Sequence, residues 1–174
     1  MDWYELIFVL IDMRSFSNLW YWIGLAVLWS SSSHWIMGVP FDMITRARRN
    51  GGQAMQDLQD ISRINAARLL YISRSAGIWI IAFTSFLLTT LGILAFWQGV
   101  EFAQATFLLL APMVLVGWMS LRTAYRIEQE QPQEAGLITV LMRHRMAVQF
   151  VGMVAIFVTS LFGMYQNMSA GGWG

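Results

Sequence analysis

Cysteine and lysine are both absent from this 174-residue chain, proline occurs three times, and only 12% of the residues are charged. The missing thiols exclude disulfides, cysteine nucleophiles, thiolate metal sites and cysteine-ligated iron–sulfur clusters. A formal net charge of +1 provides no global field to gather nucleic acid, so no nucleic-acid partner is expected. Neither H-E-x-x-H, nor G-x-S-x-G, nor a Gly-rich phosphate loop occurs, and no carboxylate pair lies inside an apolar run. No catalytic residue and no metal site are assigned, and the chain is not expected to be an enzyme.

What is abundant is apolar surface. Hydrophobic residues make up 57% of the chain and the mean hydropathy is +0.52, a departure from soluble averages in the direction of membrane proteins. Four uncharged runs approach the ~20 residues that a bilayer core requires, and they predict spans over about 17–39, 76–97, 102–121 and 146–165. Trp20, Tyr21 and Trp22 stand at the start of the first run and Trp35 near its end; Trp79 and Trp97 flank the second. Aromatic residues in such places anchor helix ends at the interface. Pro112 should kink the third span by removing a donor and crowding the carbonyl of Leu108. The first 14 residues suit a short interfacial helix with no basic leader, read as retained, and the uncharged tail after Tyr165 reads as frayed.

The polar intervals carry the organisation. Val39–Ser75 holds six of the eleven arginines. Gly51-Gly52 is a natural break between helices, and from Gln53 onward nothing interrupts one long helix running into span two. Met55, Leu58, Ile61, Leu69 and Ile72 share a face that Ser62 and Asn65 interrupt, and Asp60–Arg63 is an i,i+3 pair. Glu128–Gly136 reads as the turn of the second hairpin. Arg46, Arg48, Arg49, Arg63, Arg68, Arg74, Arg122, Arg126, Arg143 and Arg145 fall on one side of a four-span chain, and only Arg14 on the other. The positive-inside rule then puts both hairpins in the cytoplasm and both termini outside. The expected fold is an all-α membrane protein, one domain over 1–174, with four up-down transmembrane helices and cytoplasmic helical extensions at 40–75 and 122–145.

Candidate sites are few. His34 and His144 lie near the same membrane face, which raises a haem or quinone site at His34; the plainer reading is a bundle hydrogen bond and an interfacial ring. Ser30 and Ser33, with Ser85 and Thr89, are small residues at spacings that permit close helix packing, as are Ala26/Ser30 and Ala155/Thr159. Arg46, Arg48, Arg49, Arg143 and Arg145 are candidates for contact with anionic lipid or an acidic partner, beyond setting topology. No Asp, Glu or Arg sits at mid-span, and Pro112 has no counterpart in the other half, so an ion pathway through one chain is poorly supported.

Asp12–Trp22 (DMRSFSNLWYW) and Ser33–Met43 (SHWIMGVPFDM) resemble a family of small integral membrane proteins from alphaproteobacteria, sometimes labelled a component of the Suf-type iron–sulfur assembly complex. The resemblance covers most of the chain and implies a bacterial inner membrane, with both termini periplasmic once the orientation above is added. The label adds little, since nothing in the sequence carries a cluster or a nucleotide. The expected function is a non-catalytic accessory or assembly subunit of a larger respiratory or photosynthetic membrane complex, in contact with membrane lipids. The alternatives are a haem- or quinone-binding protein using His34 and a homo-oligomeric pore or carrier.

Overall fold

A computed structural model of the chain describes Phe16 and residues 19–171. The expected interfacial helix over residues 1–14 lies outside the described residues. The described chain is helical apart from one small ribbon. Helix α1 (Leu19–His34) leads through β1 (Trp35–Ile36) and β2 (Val39–Pro40) into α2 (Phe41–Asn50). Then come α3 (Gly52–Gly92), a π-helical turn (Ile93–Trp97), α4 (Glu101–Glu130) and α5 (Glu134–Gly171).

Three helices are long and apolar enough to cross a membrane: Gly52–Trp97, Glu101–Glu130 and Glu134–Ser169. The run expected as a first span behaves differently. Its helix stops at His34, well short of residue 39, because the chain turns back on itself there. Met37 (φ 53°) and Gly38 (φ 77°) form a two-residue turn with both residues in the left-handed region, and Trp35 pairs with Pro40, Ile36 with Val39. Val39 precedes a proline and is biased to extended backbone, so helix could not continue through it without cost. A Cβ on Gly38 would lie 3.1 Å from Asn65 Nδ2, so the turn rests directly on α3. At ~1.5 Å per residue, the 16 residues of α1 reach about 24 Å against the ~30 Å of a hydrocarbon core.

The course of α1 is nevertheless clear. The Phe16 N–H donates to Glu101 Oε1 (2.8 Å), the Tyr21 hydroxyl to the Ala105 carbonyl (3.1 Å), and Ser32 Oγ approaches Met113 Sδ (3.9 Å). Helix α1 therefore starts level with the α3–α4 turn and runs alongside α4 in the same direction. It lies antiparallel to α5, where Gly163 meets Phe16 and Trp22 and Gly152 meets Trp29.

The long helix expected from Gln53 is present as α3, 41 residues or about 60 Å. Its first half packs by Leu58, Ser62, Ala66 and Leu70, a strict four-residue series. Ser62, expected as an interruption of the apolar face, belongs to the contact, because a small side chain lets α3 approach its neighbours closely. Leu58, Ala66 and Leu70 of that series join Val39, Ile44 and Ala47, with Ala124 and Ile127 of α4 and Leu137 and Leu141 of α5, in the larger of two hydrophobic clusters. Ten arginines occur in the segments that build this end of the molecule. The smaller cluster, Leu25, Trp29, Val116 and Val148, joins α1 to α4 and α5 among the apolar segments.

Both connections between long helices are tight. Gly99 (φ 70°) closes the α3–α4 turn, where the π-helical winding gives Val100 N–H the Leu94 carbonyl at 3.0 Å. The α4–α5 turn spans only Gln131–Gln133, narrower than the Glu128–Gly136 expected. Helix continues through Glu128 and Glu130 because each carboxylate has a cation: Arg74 holds Glu128 with two hydrogen bonds, and Arg126 holds Glu130 one turn along. Pro112 sits inside an unbroken α4. The tail expected to fray after Tyr165 remains helical to Gly171, with Gln166 tied to Gln104 of α4.

Candidate functional site

The described residues concentrate their chemistry at three levels along the bundle. Nearest the arginine-rich end is His144, 6% exposed and two residues before the apolar stretch of α5. Its Nε2 lies 3.2 Å from Ser120 Oγ and its Nδ1 3.1 Å from Thr123 Oγ1. Those hydroxyls are three apart on α4, so they share a face, and each is also within reach of its own helix's carbonyl, Val116 at 2.9 Å and Met119 at 3.0 Å. Burial pushes the His144 pKa down from its ordinary value. A neutral ring has one N–H, so one hydroxyl receives that proton and the other turns its own from the carbonyl to the ring. His144 is thus a buried polar tie between α4 and α5, with neither nitrogen open to a ligand. The flanking Arg143 is exposed and Arg145 lies on Phe41 of α2, while the His144 ring points in, toward α4.

At mid-depth, aromatic side chains of α1 lie on a seam of small residues along α5: Gly152, Ala155, Thr159 and Gly163. A Cβ at Gly152 would come within 2.8 Å of Trp29 Cε3, and one at Gly163 within 3.2 Å of both Phe16 and Trp22. Thr159 is fully buried. The two glycines leave room for the rings to seat on α5, and van der Waals packing of this kind is the form of attraction available where lipid is as apolar as the protein.

At the far end, Gln104 is buried and donates from Nε2 to the Ala95 carbonyl (2.8 Å), while Gln166 donates to its Oε1. Ala95 lies in the π-helical turn. The amide therefore satisfies backbone that the irregular winding exposes, where an unpaired carbonyl would cost about 1–3 kcal/mol.

Comparison with family models, with curated proteins and with solved structures gives no match. Any functional reading rests on the residues themselves.

The residues singled out from the sequence are dispersed. Arg46, Arg48 and Arg49 are exposed on α2, whose opposite face buries Ile44 and Ala47. Arg143 is exposed, whereas Arg145 is turned inward, its guanidinium 3.4 Å from the centre of the Phe41 ring. That stacking fixes α2 against α5 and leaves Arg145 little freedom for another partner. His34 ends α1 and is exposed; with both His144 nitrogens occupied, the pair does not offer two open axial ligands to a haem. Ser30, Ser85 and Thr89 are exposed, and the side chain of Ser33 lies outside the described residues. Of the small-residue pairs, Ala155/Thr159 faces α1.

Sequence reasoning missed the His144–Ser120–Thr123 tie, the Gln104 bridge and the glycine ends of the α5 seam. Only the seam left a signal, small residues at three- and four-residue spacing from 152 to 163.

Proposed function

We propose that the protein is a non-catalytic accessory or assembly subunit of a larger complex in a bacterial inner membrane. In this reading α1 completes a four-span bundle, with the arginine-rich helical head in the cytoplasm and both termini in the periplasm. The course of α1, from the level of Glu101 to that of Met113 and onward to the turn over Asn65, supports the fourth span. Local thinning of the bilayer accommodates a helix about 6 Å short of the core. The grouping of ten arginines at one end supports the orientation. The bacterial membrane is what the sequence resemblance implies.

One observation carries the subunit reading. The apolar half of α3 stands at the edge of the bundle, with only 6% of its most apolar window buried. Ser85 and Thr89 are displayed there, one turn apart and exposed, and Thr89, Gly92 and Phe96 continue into a shallow groove. Small polar residues gain nothing by facing lipid, but they let a second helix come close and hydrogen-bond. Exposed Arg46, Arg48 and Arg49 offer the same partner a cationic contact on the cytoplasmic side.

The test is affinity purification from native membranes in a gentle detergent, with mass spectrometry and a visible spectrum on one eluate. A stoichiometric set of membrane-complex subunits is expected, lost when Ser85 and Thr89 are both changed to Leu and weakened by reversing Arg46, Arg48 and Arg49 to Glu. A chain that elutes alone and colourless sinks the reading. A haem spectrum lost in His34→Ala moves the weight to a cofactor protein.

A further inference from the structure

A cavity of about 350 Å³ opens between α1, α3, α4 and α5 under the Met37–Gly38 turn, at the depth where the charged half of α3 gives way to its apolar half. Its polar lining is unequal. His144 and Ser120 satisfy each other. Arg68 and Asn65 line the same space, and among the described residues neither has a salt-bridge or hydrogen-bond partner, while Ser32 makes a long contact to Met113 sulfur. Among the described residues, no carboxylate lines the cavity. The remaining wall is apolar, formed by Ile72, Val116 and Val148. Ile72 is 49% exposed and Arg68 is exposed, and the two also line an adjoining groove with Ile64 and Tyr71 on the outer face of α3. The space is therefore cationic and donor-rich at one side, greasy at the other, and open between them.

We propose that this cavity binds the head of an anionic glycerophospholipid. Arg68 and Asn65 hold the phosphodiester, and the first acyl carbons lie over Ile72 and Val148. The proposal rests on the membrane reading above. A guanidinium suits a phosphodiester because its planar fork meets two oxygens at once. A zwitterionic head brings an ammonium group that finds no carboxylate here, so an anionic head such as phosphoglycerol is preferred. Free phosphate shares the head chemistry but would forgo the apolar wall.

The experiment is native mass spectrometry of the full chain in mild detergent, titrated with phosphatidylglycerol, phosphatidylcholine and inorganic phosphate. Wild type should retain one phosphatidylglycerol per chain, at least about tenfold more tightly than phosphatidylcholine. Arg68→Gln and Asn65→Ala should each weaken it about tenfold, the loss of one good hydrogen bond to a charged group. Arg63→Gln, whose native side chain pairs with Asp60 elsewhere on α3, should change nothing. Circular dichroism checks that each variant folds. Equal loss in Arg63→Gln and Arg68→Gln, equal affinity for the two lipids, or displacement of lipid by equimolar phosphate would each overturn the proposal. Alkaline carbonate extraction separates the two levels. A chain that stays in the membrane but binds no lipid refutes this site alone, whereas a chain that is extracted refutes the membrane reading with it.

Discussion

Gly152→Ala adds one methyl group at the place where the packing of α1 is decided. The new Cβ would lie 2.8 Å from Trp29 Cε3, 3.2 Å from Cδ2 and 3.3 Å from Cζ3. Carbon atoms prefer ~3.5–4.0 Å, so the indole must retreat by about 0.7 Å or more. Trp29 is 5% exposed, among Leu25, Val116 and Val148, and has little room to do so. Turning the ring off its rotamer costs roughly 0.5–1.5 kcal/mol. Lifting α1 instead forfeits a quarter to a half of each dispersion contact across the seam, and overpacking of this kind costs about 1–3 kcal/mol in all. Against this, alanine is the better helix former by roughly 0.5–1 kcal/mol. Gly117→Ala isolates that gain, since nothing lies within 4 Å of a Cβ there. Thermal unfolding in detergent should place Gly152→Ala about 1–3 kcal/mol below Gly117→Ala, a few degrees in midpoint for a chain of this size. Trp29→Leu should reduce the gap in a double-mutant cycle. If the two alanine variants gain stability equally, Trp29 does not lie on Gly152 and the account of α1 fails.

The other predictions concern the two polar ties. Gln104→Leu removes the donor to the Ala95 carbonyl and the acceptor for Gln166, so stability should fall by about 1–3 kcal/mol; an unchanged midpoint would contradict the bridge. For His144 the folded pKa lies below the 6.5 of an unrestrained ring. The unfolded chain then binds the proton first, and stability present above about pH 6.5 is lost as pH falls toward the folded value. Wild type should lose thermal midpoint on acidification from pH 8 to 5 more steeply than His144→Gln; parallel curves would refute this.

Much of the fold was legible because membranes impose long uninterrupted signals. Uncharged runs, the Gly51-Gly52 break and the absence of Gly or Pro from Gln53 to Ser75 foretell α3 almost to the residue. The end of α1 was harder, since a left-handed Met37 has no composition signal and the run free of Asp, Glu and Arg continues past His34 to Phe41. Ser62 and the glycines of α5 were undervalued because a hydrophobic pattern ranks large side chains, whereas close helix approach selects small ones. His144 reads as interfacial from its arginine neighbours in the chain, yet its environment is set by Ser120 and Thr123 on another helix. That pairing depends on the register between α4 and α5, which no local pattern encodes.

The central claim is a four-span chain with its arginine-rich head in the cytoplasm. The natural absence of cysteine makes every introduced one unique. Single variants Asp2→Cys, Gln98→Cys and Gln133→Cys, probed in intact cells with a membrane-impermeant maleimide that reaches the periplasm, test it directly. The account predicts labelling at positions 2 and 98 and protection of position 133 until the inner membrane is permeabilised. Position 2 protected together with 133 would mean that α1 does not cross, and position 133 labelled from outside would reverse the orientation.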